Sequence, residues 1–179
     1  KAPARPVLNL GTSAAGFTIE LWAKPGRVQD APLLIWERAD GQQDGLSLWQ
    51  AAGGVGLYAY LNNTGGGGPA MGVGGVFAAN VWVHVALTYD KVSGWARLYR
   101  DGVMMAEQNF GVFTAETTFP LELGARRRDN LYYQGALDEI SLYTRPLTIT
   151  EVAAIYAAGA TGKNPPDDNL PPVANAGPD

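Results

Sequence analysis

The chemistry open to this chain is narrow, because its reactive side chains are few. It contains no cysteine and one histidine. That excludes a disulfide scaffold, a thiolate zinc site, a cysteine nucleophile, a CxxC redox pair and any multi-histidine metal centre. The lone histidine, His84, alternates with Trp82, Ala86 and Thr88 in an apolar stretch. No sequence motif supplies it with a nucleophile and an orienting acid, so it reads as a packed, hydrogen-bonded histidine with no partner in its own strand. Glycosidases set two carboxyl groups about 5 to 9.5 Å apart, which on one strand calls for i, i+2 spacing. Asp138 and Glu139 are adjacent, and Glu37 and Asp40 stand three apart, both the wrong parity. The carboxylate pattern therefore points away from an enzyme.

What remains is binding chemistry. Arg126-Arg127-Arg128-Asp129-Asn130, followed by Tyr132, gathers guanidinium, carboxylate, amide and phenol groups in one short segment. Planar guanidinium forks grip sulfates and carboxylates bidentately. In an extended segment successive arginines alternate in direction, so two of the three converge. These six residues are the expected ligand-binding set, with an acidic or sulfated glycan as the expected ligand. Aromatic faces stack on the apolar faces of pyranose rings. Trp22, Tyr58 and Tyr60 lie opposite the most apolar rows, while Trp36, Trp49 and Trp95 stand near turns. The segments Arg38–Gly45 and Asn62–Pro69 are further loops of unusual content, and Asn62-Asn63-Thr64 matches a glycosylation sequon. Asp138 shares strand parity with Ala136, Ile140 and Leu142, which predicts partial burial. A buried carboxylate must be paired or metal-bound.

The elements that must position these residues are strands. Phe17, Ile19, Leu21 and Ala23 alternate with Thr18, Glu20, Trp22 and Lys24 until Pro25-Gly26 stops the run. Further strands are read at 33–36, 46–49, 55–61, 82–89, 95–100, 103–106, 120–124 and 135–143. Asp101-Gly102 is a two-residue hairpin signal. Thr148 and Glu151 have the spacing of a capping box, followed by Val152, Ile155 and Tyr156 at helical spacing and by Gly159 as the stop. About ten strands with one terminal helix predict an all-β fold, a two-sheet antiparallel β-sandwich or jelly roll with one short C-terminal helix. No βαβ alternation is visible.

Composition agrees. The chain has 179 residues, with 23 glycines and 12 prolines, enough turns for many short strands. Its formal net charge of −4 argues against nucleic acid as a partner, which calls for a basic footprint. No apolar run approaches the roughly 18 residues of a membrane-spanning helix, so no membrane insertion is expected. Residues 1–6 read as an N-terminal linker, 7–159 as one domain, and 160–179 as a second linker rich in Pro, Asn and Asp.

Several segments, in order, resemble the laminin-G-like jelly rolls of the concanavalin A-like lectin/glucanase superfamily. They are Phe17 to Pro25, Trp82-Val83-His84-Val85-Ala86-Leu87-Thr88-Tyr89-Asp90, Leu98 to Val103, Leu121 to Gly124, Gly135 to Tyr143 and Arg145 to Thr148. The resemblance covers residues 7–159. The family's earlier strand, with a Phe-Asp-Gly-like sequence, is missing or truncated here, which leaves one sheet edge incomplete. The E-x-D-x-x-E strand motif of the resembling glucanases is absent. Those glucanases hold a structural calcium at an Asp in the last-strand position that corresponds to Asp138, so the resemblance implies a calcium site there. Asn169 to Asp179 resembles the opening of a PKD domain, an Ig-like module. Together these resemblances imply a non-catalytic module that binds a polysaccharide, glycan or surface, beside neighbouring domains of a large secreted or cell-surface bacterial protein. The alternative is a structural spacer that positions those neighbours.

Overall fold

Strict alternation of apolar and polar residues gives each strand one face to bury. The computed structural model of the protein describes residues 1–38, 44–54 and 56–159. Its strands are β1 (Gly16–Pro25), β2 (Ala31–Trp36), β3 (Ser47–Ala51), β4 (Gly56–Tyr60), β5 (Ala70–Val73) and β6 (Val83–Asp90). They continue with β7 (Trp95–Arg100), β8 (Val103–Asn109), β9 (Leu121–Leu123), β10 (Ala125–Arg126), β11 (Leu131–Tyr132) and β12 (Gly135–Tyr143). One helix, α1 (Ile149–Ala158), follows. Two antiparallel sheets of five strands pack face to face, in the orders β12-β1-β6-β7-β8 and β5-β4-β3-β2-β9, with β10 and β11 as a separate small ladder. This is the predicted two-sheet sandwich with one short helix.

The core lies between the sheets. Phe17, Ile19, Leu21 and Ala23 of β1 and Val83, Val85, Leu87 and Tyr89 of β6 meet Leu48, Leu57 and Ala59 from the other layer. Each large side chain buried this completely contributes about 1.5–3 kcal/mol before entropy is charged. Trp36 is fully buried in this core and donates from its indole to the Leu8 carbonyl, so it is no ligand platform.

The outer face of the first sheet is also covered. Helix α1 lays Val152 and Ile155 over Ala86, Tyr99 and Leu147. The capping box predicted at Thr148 and Glu151 is formed, and Arg145 grips the Glu151 carboxylate through both oxygens at 2.9 and 2.7 Å. Thr18 ties the approach to the helix down, donating to the Arg145 carbonyl and accepting from the Leu147 N–H. At Asp101-Gly102 the β7–β8 hairpin turns with φ of 49° and 75°, the conformation a two-residue turn demands.

Three features depart from expectation. Strand β5, from a Gly-rich stretch, and the two-residue strands β10 and β11 carry too little alternation to announce themselves. At the edge beyond β9, Ala2 and Leu121 exchange two backbone hydrogen bonds, and Lys1 pairs with Glu122 at 3.2 Å. The segment read as an N-terminal linker is thus tied to the edge of the second sheet. The third departure is a bulge in β12. Glu20 pairs with Ser141 and Trp22 with Asp138, so Leu21 alone faces both Glu139 and Ile140. Glu139 takes φ +49° to accommodate the extra residue. The extra residue inverts parity, so Leu137, Ile140 and Leu142 pack on the core while Asp138 stands on the outer face, exposed. The expected burial of Asp138 is therefore corrected. The tail with the PKD-like sequence, residue Asp40 and the rest of segment 39–43 lie outside the described residues.

Candidate functional site

Strands β3 and β4 expose one face of the second sheet. Their register sets Ser47 opposite Tyr60 and Trp49 opposite Tyr58, on the side away from Leu48, Leu57 and Ala59. Cross-strand neighbours lie about 4.5–5.5 Å apart, so the three aromatic rings form one half-buried patch. A groove of about 250 Å³ runs beside it, lined by Asp44, Ser47, Trp49, Tyr58, Tyr60, Asn62, Arg126 and Arg128.

The arginines reach the groove because β10 packs against β2 and carries its loop across the sheet. Arg126 sits over Trp49, with its guanidinium carbon 4.6 Å from the ring centre. Asp129 holds it there with two hydrogen bonds, at 2.9 Å from Nε and 2.5 Å from Nη2. The hydrogen bond from Arg126 keeps the Asp129 carboxyl below its usual range. Arg128 is held from two sides: its backbone N–H donates to Glu37 at 2.9 Å and its guanidinium donates to Asp44. Both partners are almost fully buried, Glu37 at 5% and Asp44 at 8% exposure. Pairing with Asp129 uses only part of Arg126's five-donor fork, which leaves N–H groups for a ligand.

Asn62 lies beneath one end of the groove. It is 2% exposed, its amide nitrogen donates to the Asp44 carbonyl, and its Oδ1 has no hydrogen-bond partner among the described residues. A buried amide oxygen left unpaired costs about 1–3 kcal/mol. The same burial makes the sequon at Asn62 no attachment point. Asp44 and Asn62 also line an adjoining cavity of about 240 Å³ with Arg38, Glu116 and Phe119.

The six residues expected to bind ligand are thus divided. Arg126 and Arg128 both line the groove, but Arg126 ends β10 and Arg128 lies in the 3-10 turn Arg127–Asp129, so strand alternation does not set their directions. Asp129 acts through Arg126. Arg127 points elsewhere and pairs with the buried Glu122 at 3.0 Å. Asn130, at φ +57°, and Tyr132 line a separate hollow with Arg27, Gln29 and Asp30. Asp44 and Asn62 belong to the loops Arg38–Gly45 and Asn62–Pro69 singled out in the sequence, but their individual roles, and Ser47, were not legible from motifs.

On the other sheet His84 is fully buried, and its Nε2 lies 3.1 Å from Oε2 of the equally buried Glu20. Its partner comes from the neighbouring strand β1. Tyr143 donates to the other Glu20 oxygen at 3.2 Å, and burial beside that carboxylate raises the phenol's pKa. Among the described residues no serine hydroxyl or other nucleophile is hydrogen-bonded to the His84 ring.

Asp138 does not fit the calcium cage its position implies. Calcium takes 6–8 oxygen ligands. Asp138 is exposed, its Oδ1 accepts the Glu139 N–H at 2.8 Å, and its surroundings are two indoles and one further carboxylate. Among the described residues no three His, Cys, Asp or Glu side chains are grouped to hold a metal. None of the described helices is long and apolar enough to cross a membrane.

Residues 3–153 match the family model described as the concanavalin A-like lectin/glucanases superfamily. No curated protein matches the sequence. Among solved structures, the fold is similar to the CBM40 of the Ruminococcus gnavus IT-sialidase bound to α2,3-sialyllactose, with TM-score 0.65 and 20% identity over 87% of this chain and 94% of that one. It is similar to a heptameric SAP-like pentraxin from Limulus polyphemus, with TM-score 0.62 and 14% identity over 81% and 71% of the two chains. It is also similar to the binding domain of Paraclostridial Mosquitocidal Protein 1, with TM-score 0.61 and 17% identity over 86% of this chain and 39% of that one.

Proposed function

The chain belongs to the concanavalin A-like lectin/glucanases superfamily, and from that premise we propose that it is a non-catalytic glycan-binding module whose site is the groove on β3 and β4. The observation that carries this reading is the patch of Trp49, Tyr58 and Tyr60 flanked by Arg126, Arg128 and the unpaired Asn62 oxygen. The rings offer a stacking surface for a pyranose, and the Arg126 guanidinium donates to its oxygens. The glycan carried by the similar CBM40 supports the same class of ligand. The groove carboxylates are poorly placed for acid catalysis. A general acid needs a raised pKa, whereas Asp129 is held low by Arg126 and Asp44 is paired with Arg128.

Because each groove arginine faces a carboxylate, recognition rests on directed hydrogen bonds more than on net positive charge. An acidic or sulfated sugar binds by competing with Asp129 for the Arg126 fork, and a neutral sugar binds through the same donors. The PKD-like sequence at the C-terminus supports placing the module beside other domains of a secreted or surface protein.

A glycan array on the full chain, followed by calorimetry on the best ligand, tests this reading. Trp49→Ala and Arg126→Ala should each weaken binding, by about 10- to 150-fold for a lost charge-assisted bond of about 1.5–3 kcal/mol. Arg127→Ala should leave it unchanged. Equal loss in all three variants would remove the site from this groove, and no glycan bound by the parent chain would leave the spacer role.

A further inference from the structure

We propose that the opposite face of the sandwich holds a second, independent ligand site, built to take the alkylammonium group of a small organic cation. The site is a cavity of about 340 Å³ on the first sheet, lined by Trp22, Trp82, Asp138, Glu139 and Gly159. It shares no residue with the groove on β3 and β4.

Its walls are aromatic and fixed. The Trp22 ring stacks on Tyr156 of α1 at 5.7 Å and packs against His84 at 5.5 Å. His84 is in turn held by Glu20. Trp82, just before β6, leaves a large part of its indole uncovered, at 41% exposure. An exposed indole beside a rigid one, with a cavity between them, is an unusual use of two large apolar side chains.

The anionic side is put there by the bulge. In regular register Asp138 would share the core face of Ile140 and Leu142. The extra residue in β12 turns it outward and sets it directly across from Trp22. This costs strain, since Glu139 holds a left-handed φ of +49° that a non-glycine residue avoids. Bulges of this kind re-aim side chains beside functional sites. Among the described residues Asp138 has no ion pair. Lys24 stands on the same face two register pairs along, opposite Ala136.

The chemistry of the lining selects the occupant. Ionised carboxylates only accept hydrogen bonds, and indole faces attract cations. An anion would meet two carboxylates, so phosphates and acidic sugars are excluded. An ammonium bearing alkyl groups satisfies both the carboxylates and the apolar walls.

The test is titration of the full chain with choline and with its neutral isostere 3,3-dimethyl-1-butanol, read by the indole N–H resonances of Trp22 and Trp82. Choline should bind saturably, and the isostere at least about tenfold more weakly. Asp138→Asn keeps an oxygen for the Glu139 N–H and should weaken choline by about tenfold or more. Trp82→Ala should abolish binding while the melting temperature holds. Equal affinity for choline and the isostere, an unaffected Asp138→Asn variant, or no choline binding at all would each overturn the proposal. Loss of glycan binding in Trp49→Ala leaves it untouched, because the two sites lie on different sheets.

Discussion

Removing the His84 imidazole tests whether the lone histidine is a structural clamp. Glu20 and His84 are both fully buried, 3.1 Å apart, with Tyr143 on the other carboxylate oxygen. In His84→Leu the Glu20 carboxylate stays buried and loses one donor. Breaking a buried pair from one side costs about 3–5 kcal/mol. For a domain of this size that lowers the melting temperature by about 6–20 °C. In Glu20→Leu the imidazole and the phenol lose their acceptor, at about 1–3 kcal/mol. Replacing both with leucine removes the desolvation cost along with the contact, so the double variant should sit within about 2 kcal/mol of the parent. The singles would sum to about 4–8 kcal/mol, so the cycle should show strong non-additivity. Urea melts of the four proteins measure it. A double variant as unstable as the sum of the singles, or a His84→Leu variant that loses less than about 1 kcal/mol, would refute the clamp.

Two further outcomes are expected. The Arg145 and Thr148 hydrogen bonds hold Glu151 at a pKa of about 2 against an ordinary 4.5. The folded pKa lies below the unfolded one, so the stability this group adds is whole above about pH 4.5 and drains away as pH falls towards 2. Glu151→Gln should flatten that part of the melting-temperature profile, and an unchanged slope would count against the capping box as its source. Glu139→Gly should stabilise the domain: relief of the left-handed strain gives about 1–2 kcal/mol and the freer unfolded chain returns about 0.5–1, a net gain of about 0.5–1 kcal/mol by urea denaturation.

Much of the framework was legible because alternation is a local property. Phe17 to Ala23 showed their core face in the sequence, and the Asp101-Gly102 turn and the Thr148–Glu151 cap each rest on residues a few positions apart. The aromatic patch was half legible: Tyr58 and Tyr60 declared themselves outward, but nothing local set Trp49 opposite Tyr58 or sent Trp36 into the core. The arginine run pointed to this segment, but Arg127–Asp129 forms a 3-10 turn, so strand parity does not govern it. The run could not reveal that Asp44, 84 positions away, holds Arg128, or that Glu122 draws Arg127 aside.

Asp138 shows most clearly where pattern reading ends. Parity arguments assume one residue per step, and a single extra residue in β12 reverses every face downstream of it. The sequence Leu137-Asp138-Glu139-Ile140 is equally consistent with a buried carboxylate and with an exposed one. What decides is the energy of the alternatives. Regular pairing would drive an ionised carboxylate into the core beside Ile140 and Leu142, at a cost of several kcal/mol without a partner. The bulge costs about 1–3 kcal/mol in strain at Glu139. The cheaper solution keeps the core apolar and sets a carboxylate in front of Trp22. The same balance explains why both faces of this first sheet are occupied: Glu20 and His84, on the outer row of β1 and β6, can be buried only because they satisfy each other beneath α1. Among the described residues the second sheet carries no such helix, and the outer aromatics Trp49, Tyr58 and Tyr60 stay half-buried.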